Sequence, residues 1–131
     1  MLFHTFQNQE ERRSFGGDDF IEFQYCRLKP GTSMEERLSL EWLDHWEDDS
    51  LYLCGDDWPE FAENYGEIIT GGTYATLEQG PLDWCGVNYF TPAQRDAIMS
   101  RVLTEKPRDA QVLLDWLSRE PESNGFYVLG L

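Results

Sequence analysis

Residues 84–103, WCGVNYFTPAQRDAIMSRVL, carry the clearest structural signal in this chain. Thr91, Pro92 and Gln94 stand at the positions of a helix N-cap, a first-turn proline and a capping-box partner. The apolar residues before them are typical of a strand. The spacing therefore predicts a strand over Trp84 to Phe90 and a helix that begins at Pro92.

Towards the C terminus the pattern stays helical. Ala110, Leu113, Leu114 and Leu117 lie at i, i+3, i+4 and i+7, which predicts a second helix after Asp109. A final strand is predicted over residues 126–129. The chain is therefore expected to contain two C-terminal helices followed by a strand.

Towards the N terminus, alternation and turn residues predict further strands at 20–28, 51–54, 68–69 and 73–77, and helices at 33–47 and 57–66. Residues 37–43 also alternate as a strand would. The predicted fold class is α+β, with a mostly antiparallel sheet of four to six strands and two or three helices. Residues 1–131 are expected to form one domain, with 1–17 as a loose arm or a short strand near residues 2–6.

Charge is distributed unevenly along the chain. The formal net charge is −15, and the 57 residues from Leu38 to Gln94 contain no Lys or Arg, twelve Asp or Glu and four of the five tryptophans. An anionic surface repels nucleic acid and anionic membranes, and it attracts a cationic protein. We therefore expect neither direct nucleic-acid binding nor membrane binding.

No pattern in the sequence indicates a catalytic or metal site. Cys26, Cys54 and Cys85 form no Cys-x-x-Cys pair and have no metal-ligand spacing to His4 or His45. His45 is interpreted as a partly buried structural histidine in a helix, and Cys85 as a buried thiol in a strand. No cofactor and no enzymatic activity are predicted, and the odd number of cysteines favours a reduced, cytoplasmic protein.

Aromatic side chains alternate with carboxylates over residues 44–67. Aromatic residues supply contact energy at interfaces, while carboxylates supply complementarity to Lys and Arg. The predicted partner-binding residues are Asp44, Glu47, Asp48, Asp49, Asp56, Asp57, Trp58, Glu60 and Glu63. The competing interpretation is that the aromatics belong to the core and the acids form a solvated surface.

In overall character the chain resembles the bacterial immunity proteins of polymorphic-toxin and contact-dependent growth inhibition systems. The resemblance includes the segments Tyr89-Phe90-Thr91-Pro92-Ala93-Gln94 and Lys106-Pro107-Arg108-Asp109, each leading into a closing helix. It implies an antitoxin that covers the active site or substrate surface of a cationic toxin, often a nuclease. No particular family is assigned, and no binding residue is transferred by position.

Two other functions fit the sequence. A nucleic-acid mimic, such as a phage or anti-restriction factor, would place carboxylates at phosphate-like intervals along one elongated face. A small hydrolase of unassigned chemistry would contain a concave pocket with His45 or a carboxylate pair of shifted pKa.

Overall fold

The computed structural model describes residues 1–16, 19–39 and 43–130. These residues form seven strands, five α-helices and one 3-10 turn. In chain order the elements are β1 (Phe3–His4), α1 (Gln9–Phe15), β2 (Phe20–Tyr25), α2 (Met34–Arg37), β3 (Leu51–Cys54), a 3-10 turn (Gly55–Asp57), α3 (Trp58–Tyr65), β4 (Gly72–Thr73), β5 (Gln79–Gly80), β6 (Val87–Phe90), α4 (Pro92–Glu105), α5 (Ala110–Arg119) and β7 (Phe126–Leu129). The α+β class is confirmed, with more strands and helices than expected.

All strands belong to one antiparallel sheet with the order β1-β3-β2-β7-β6-β4-β5. Its centre is the pairing of β2 with β7, where Glu22 lies opposite Leu129 and Phe23 opposite Val128. The last strand of the chain is therefore inserted between β2 and β6. Residues about one hundred positions apart must meet before the middle of the sheet exists.

One face of the sheet packs against α3, α4 and α5. Phe23 lies at its centre, edge-on to Phe61 at 5.9 Å and to Trp116 at 6.3 Å between ring centroids. Ile98 and Val102 contribute the buried side of α4. These apolar contacts supply the main core, because burial of each large side chain contributes roughly 1.5–3 kcal/mol.

The other face of the sheet is covered by α1, α2 and the loop of residues 43–50. Leu38 packs there with Tyr127 and Leu129, and Phe6 packs with Phe20. With both faces covered, all six residues of β2 are buried. The prediction of a half-buried strand over 20–28 is therefore wrong about burial and extends three residues too far.

The helix signals near the C terminus are confirmed. The Thr91 hydroxyl accepts from the Gln94 N–H at 3.1 Å, and the Gln94 side chain accepts from the Thr91 N–H at 2.9 Å. The predicted short strand at 51–54 and the closing strand at 126–129 also form.

Several other predictions are wrong. The helix predicted at 33–47 ends at Arg37, and residues 43–47 are a loop. Residues 40–42, which also belong to the alternative strand at 37–43, lie outside the described residues. Residues 68–69 and 74–77 form no strand, whereas Gln79–Gly80, for which no strand was predicted, pairs with β4. Residues 1–17 were expected to form a loose arm or a short strand near residues 2–6; the structure has strand β1 at Phe3–His4 and helix α1 over residues 9–15, on which Arg12 is buried. The conformations of α1 and of residues 43–47 depend on contacts distant in sequence.

None of the helices in the described part of the chain combines the length and the apolar character that crossing a membrane requires.

Candidate functional site

The nine predicted partner-binding residues lie on either side of β3. The loop group lies before the strand and consists of Asp44, Glu47, Asp48 and Asp49. The turn group lies after it and consists of Asp56, Asp57, Trp58, Glu60 and Glu63. A four-residue strand is about 13 Å long. The structure thus divides the predicted surface into two groups at opposite ends of β3.

A buried carboxylate holds the loop group in place. Glu22 on β2 has no exposed surface, yet its oxygens accept hydrogen bonds from the N–H groups of Trp46 at 2.8 Å and Glu47 at 2.9 Å. The Ser50 hydroxyl donates a third at 2.6 Å. A buried charge is tolerated only where such donors surround it. The loop backbone therefore takes its shape from Glu22.

The same carboxylate interacts with His45, whose Nδ1 lies 3.6 Å from Oε1 of Glu22. Burial raises the pKa of Glu22, but the bonds from His45, Ser50, Glu47 and Trp46 outweigh it and hold that pKa below its usual value. Contact with Glu22 in turn raises the pKa of His45, although burial opposes this. His45 lies in a loop rather than in the predicted helix, and about half of its side chain is exposed.

Like charges crowd the loop group. Burial raises the pKa of Glu47, and Glu22, Asp49 and Asp44 raise it further, while Arg27 opposes them. Among the described residues, Asp49 is the one member of this group with an ion pair, which it forms with Arg27. The loop thus concentrates negative charge that the described residues neutralise only in part.

The turn group also has few ion pairs with basic side chains. Glu60 is paired with Arg108, but Asp56, Asp57 and Glu63 have no ion pair within the described part of the chain. Nine carboxylates lie between residues 44 and 67, and two of them, Asp49 and Glu60, are paired with arginine. The rest can interact with an external cation.

An aromatic stack borders the turn group. The rings of Trp58 and Trp84 lie 5.8 Å apart at 25°, and Trp84 is 44% exposed. Trp58 packs on the core through Phe61, so the stack is anchored on one side and open on the other. The buried Asn88 side chain fixes the Trp84 loop by bonding the N–H and the carbonyl of Asp83, both at 2.8 Å.

Trp84 was not among the predicted site residues, because it was assigned to the strand before Thr91. Its neighbours Asp83 and Cys85 are exposed, and Cys85 is therefore not the buried thiol that was predicted. One signal was present in the sequence: Asp83-Trp84 repeats the Asp57-Trp58 pair.

A pocket of about 370 Å³ opens on the sheet face that carries the loop group. Phe20, Val87 and Leu129 form its floor, His45 lies on one wall and Cys85 on another. The pocket lining thus includes an exposed thiol and a histidine that contacts a buried carboxylate. Nucleophilic catalysis uses these three groups when they lie within hydrogen-bond distance of one another.

A third cluster lies at the edge of the sheet. His4, Cys54 and Asp57 are half-buried, and each offers a ligand atom within 4.8 Å of the others. Sequence spacing gave no indication of this group, because β1 and β3 are joined only in the folded sheet.

Neither family models, nor curated proteins, nor solved structures show a match to this chain. Its function is therefore inferred from the geometry itself.

Proposed function

We propose that this protein is a stoichiometric inhibitor, an immunity protein or antitoxin, that binds and neutralises a cationic toxin. The observation that carries the proposal is the stack of the half-buried Trp58 on the exposed Trp84, with Asp56, Asp57 and Asp83 close to the two indoles in the sequence. None of these three carboxylates is paired with a cation in the described residues.

Each part of this surface has a separate physical role. A desolvated indole supplies contact energy at the centre of an interface, and tryptophan is enriched among the residues that dominate binding. Carboxylates around it raise the association rate with a positive partner and disfavour other partners. A nuclease fits this surface, because its substrate cleft must be positive to hold phosphates.

The experiment uses a partner captured from the native host. The captured protein is expressed alone to measure its toxicity and then together with this chain to measure rescue. Rescue by the wild type, and its loss in the variants Trp84→Ala and Asp56→Lys, is the expected result. Glu122→Lys, a charge reversal in the exposed segment before β7, is the matched control and should still rescue.

Association kinetics test the electrostatic contribution of the carboxylates to toxin binding. Raising the ionic strength from about 0.01 M to 1 M shortens the Debye length from about 30 Å to 3 Å, so the association rate should fall at least roughly tenfold. A captured partner that is not toxic, or an association rate indifferent to salt, would count against the proposal. Capture of a DNA-binding restriction enzyme would instead favour the nucleic-acid mimic.

A second candidate is a cysteine-dependent hydrolase, and the pocket between His45 and Cys85 is the observation that favours it. Glu22 would orient His45, His45 would accept the thiol proton of Cys85, and the apolar floor would hold the substrate acyl group.

Thiol alkylation tests this candidate directly, because Cys85 is the exposed cysteine while Cys26 is buried and Cys54 half-buried. The rate of alkylation by iodoacetamide is measured against pH in the wild type and in His45→Gln. A histidine-activated thiol should react at least roughly tenfold faster than in the variant near neutral pH. Equal rates would exclude the Cys–His pair.

A further inference from the structure

We propose that His4, Cys54 and Asp57 form a binding site for a divalent cation of the zinc class, with a fourth coordination position open to water. The proposal shares Asp57 with the turn group but does not rest on the toxin-inhibitor function, because it depends on the meeting of β1 and β3. Nitrogen, sulfur and carboxylate oxygen are the three ligand types that zinc accepts together.

The backbone explains why these side chains converge. His4 lies opposite Tyr52 in the β1–β3 register, so its side chain points to the same face as that of Cys54, two residues further along β3. Cys54 is also the N-cap of the 3-10 turn that ends at Asp57. Side chains at i and i+3 eclipse in such a turn, which places the thiol and the carboxylate on one side.

The distances suit a tetrahedral ion after a small adjustment. Zinc–ligand bonds of about 2.0–2.3 Å put neighbouring ligand atoms about 3.4–3.6 Å apart in a tetrahedron. The ligand atoms lie within 4.8 Å of one another, so they need to approach by roughly 1.4 Å at most. Side-chain rotation alone covers that distance.

The surroundings limit how far the ligands can move away. The His4 ring contacts Phe15 at 4.7 Å and Phe6 at 6.3 Å between centroids. The β1 backbone is fixed nearby, where the Leu2 N–H donates to Asp109 at 2.5 Å. A preformed site loses little side-chain freedom when the ion binds.

The ligand set discriminates among cations. Calcium and magnesium take oxygen ligands, so the imidazole and the thiol disfavour both. Coordination requires the thiolate form of Cys54, and its proton is released to solvent when the metal binds. Three protein ligands leave the fourth position to a water molecule. The ion would fasten the two-residue strand β1 to β3 and the turn.

Cobalt(II) reports directly on this geometry. The full-length protein is reduced, freed of metal with a chelator and titrated with Co²⁺, and absorption is recorded for thiolate-to-cobalt charge transfer and for tetrahedral ligand-field bands. Zn²⁺ should displace the cobalt. In a thermal unfolding experiment, Zn²⁺ at a hundred times its dissociation constant should raise the Tm by roughly 10 °C.

Each ligand has a matched control elsewhere in the chain. Cys54→Ser should abolish the charge-transfer band, and His4→Gln and Asp57→Asn should weaken cobalt binding at least roughly tenfold. Cys85→Ser, His45→Gln and Asp56→Asn should leave binding unchanged. The far-ultraviolet circular dichroism of each variant verifies folding, and Asp57→Asn on the surface turn still decides the question if Cys54→Ser does not fold.

Absence of a thiolate–cobalt band would overturn the proposal, and so would a band that persists in Cys54→Ser. A band lost in Cys85→Ser would assign the metal to an adventitious surface thiol, with the same consequence. His4 lies outside the predicted partner surface. Loss of metal binding in His4→Gln with toxin rescue intact would therefore separate the two proposals.

Discussion

Replacing Glu22 by glutamine tests whether one buried carboxylate shapes the acidic loop. Glutamine keeps the shape of the side chain but has one oxygen and one NH₂ group. In the wild type, Oε1 accepts from the Trp46 N–H, and Oε2 accepts from the Glu47 N–H and the Ser50 hydroxyl. In either orientation of the amide, at least one loop N–H therefore faces another donor.

The size of the expected stability loss follows from these hydrogen bonds. Hydrogen bonds to a charged group contribute about 1.5–3 kcal/mol each, and a buried donor without a partner costs about 1–3 kcal/mol. Because the Ser50 hydroxyl can rotate and accept from the new amide, we expect Glu22→Gln to lower the free energy of unfolding by about 3 kcal/mol. Domains have a stability of about 5–15 kcal/mol, so the variant should still fold.

Equilibrium unfolding in urea at pH 7 measures this loss. The midpoint should fall by about 1–3 M with an unchanged slope, since m is about 1–3 kcal/mol/M for small proteins. Hydrogen exchange at the Trp46 and Glu47 amides should accelerate. Glu78→Gln makes the same change at an exposed position and should stay within about 0.5 kcal/mol of the wild type. If both variants behave alike, Glu22 does not hold the loop.

The pH dependence of stability gives an independent measurement on the same variant. The pKa of Glu22 is lowered in the folded protein, so its contribution to stability is present above the unfolded pKa, about 4.5, and is lost as the pH falls through the folded value. The stability difference between wild type and Glu22→Gln should therefore shrink below about pH 4.5. A difference that stays constant down to unfolding would contradict this linkage.

Three further changes have separate expectations. Thr91→Ala removes the hydroxyl that accepts from Gln94 and should cost about 1 kcal/mol, measured by urea unfolding; no loss would mean the cap is not stabilising. Gly125→Ala should prevent soluble folding, because φ is +84° and the added Cβ would lie 2.0 Å from the Phe90 oxygen; an unchanged Tm would contradict this. His45→Gln should cost less than about 1 kcal/mol at pH 6, since solvent screens the half-exposed imidazole in its contact with Glu22. Because the folded pKa of His45 is raised, that cost should be complete below about pH 6.5 and vanish as the pH rises through the folded value; a cost independent of pH would refute it.

Elements whose signals are local were predictable from the sequence. The start of α4 is specified by three residues within four positions, and α5 by one apolar face. The candidate surface was also partly predictable, because the lack of Lys and Arg between Leu38 and Gln94 is visible in the sequence. Such features need no knowledge of which segments meet.

Features created by distant segments were not predictable. The sequence of residues 43–47 is compatible with a helix, but the buried Glu22 on β2 accepts from two N–H groups there and favours the loop. Likewise, His4 and Cys54 meet only through the β1–β3 register. In each case the deciding partner is far away in sequence.

The shape of the acidic loop has an energetic cost that the core does not require. Trp46 has a φ of +71°, a left-handed conformation that is unfavourable for a bulky residue by roughly 1–2 kcal/mol. Three contacts hold it there: its N–H bonds to Glu22, its ring stacks on Tyr52, and the Arg12 guanidinium lies 3.9 Å from its centroid. Unfavourable backbone conformations that the surroundings enforce cluster at functional sites. The loop gathers like charges as well, and an apolar residue at position 22 would avoid the buried charge altogether. If the proposed role is correct, binding to a cationic partner would account for both costs, whereas scattered carboxylates would supply solubility without either.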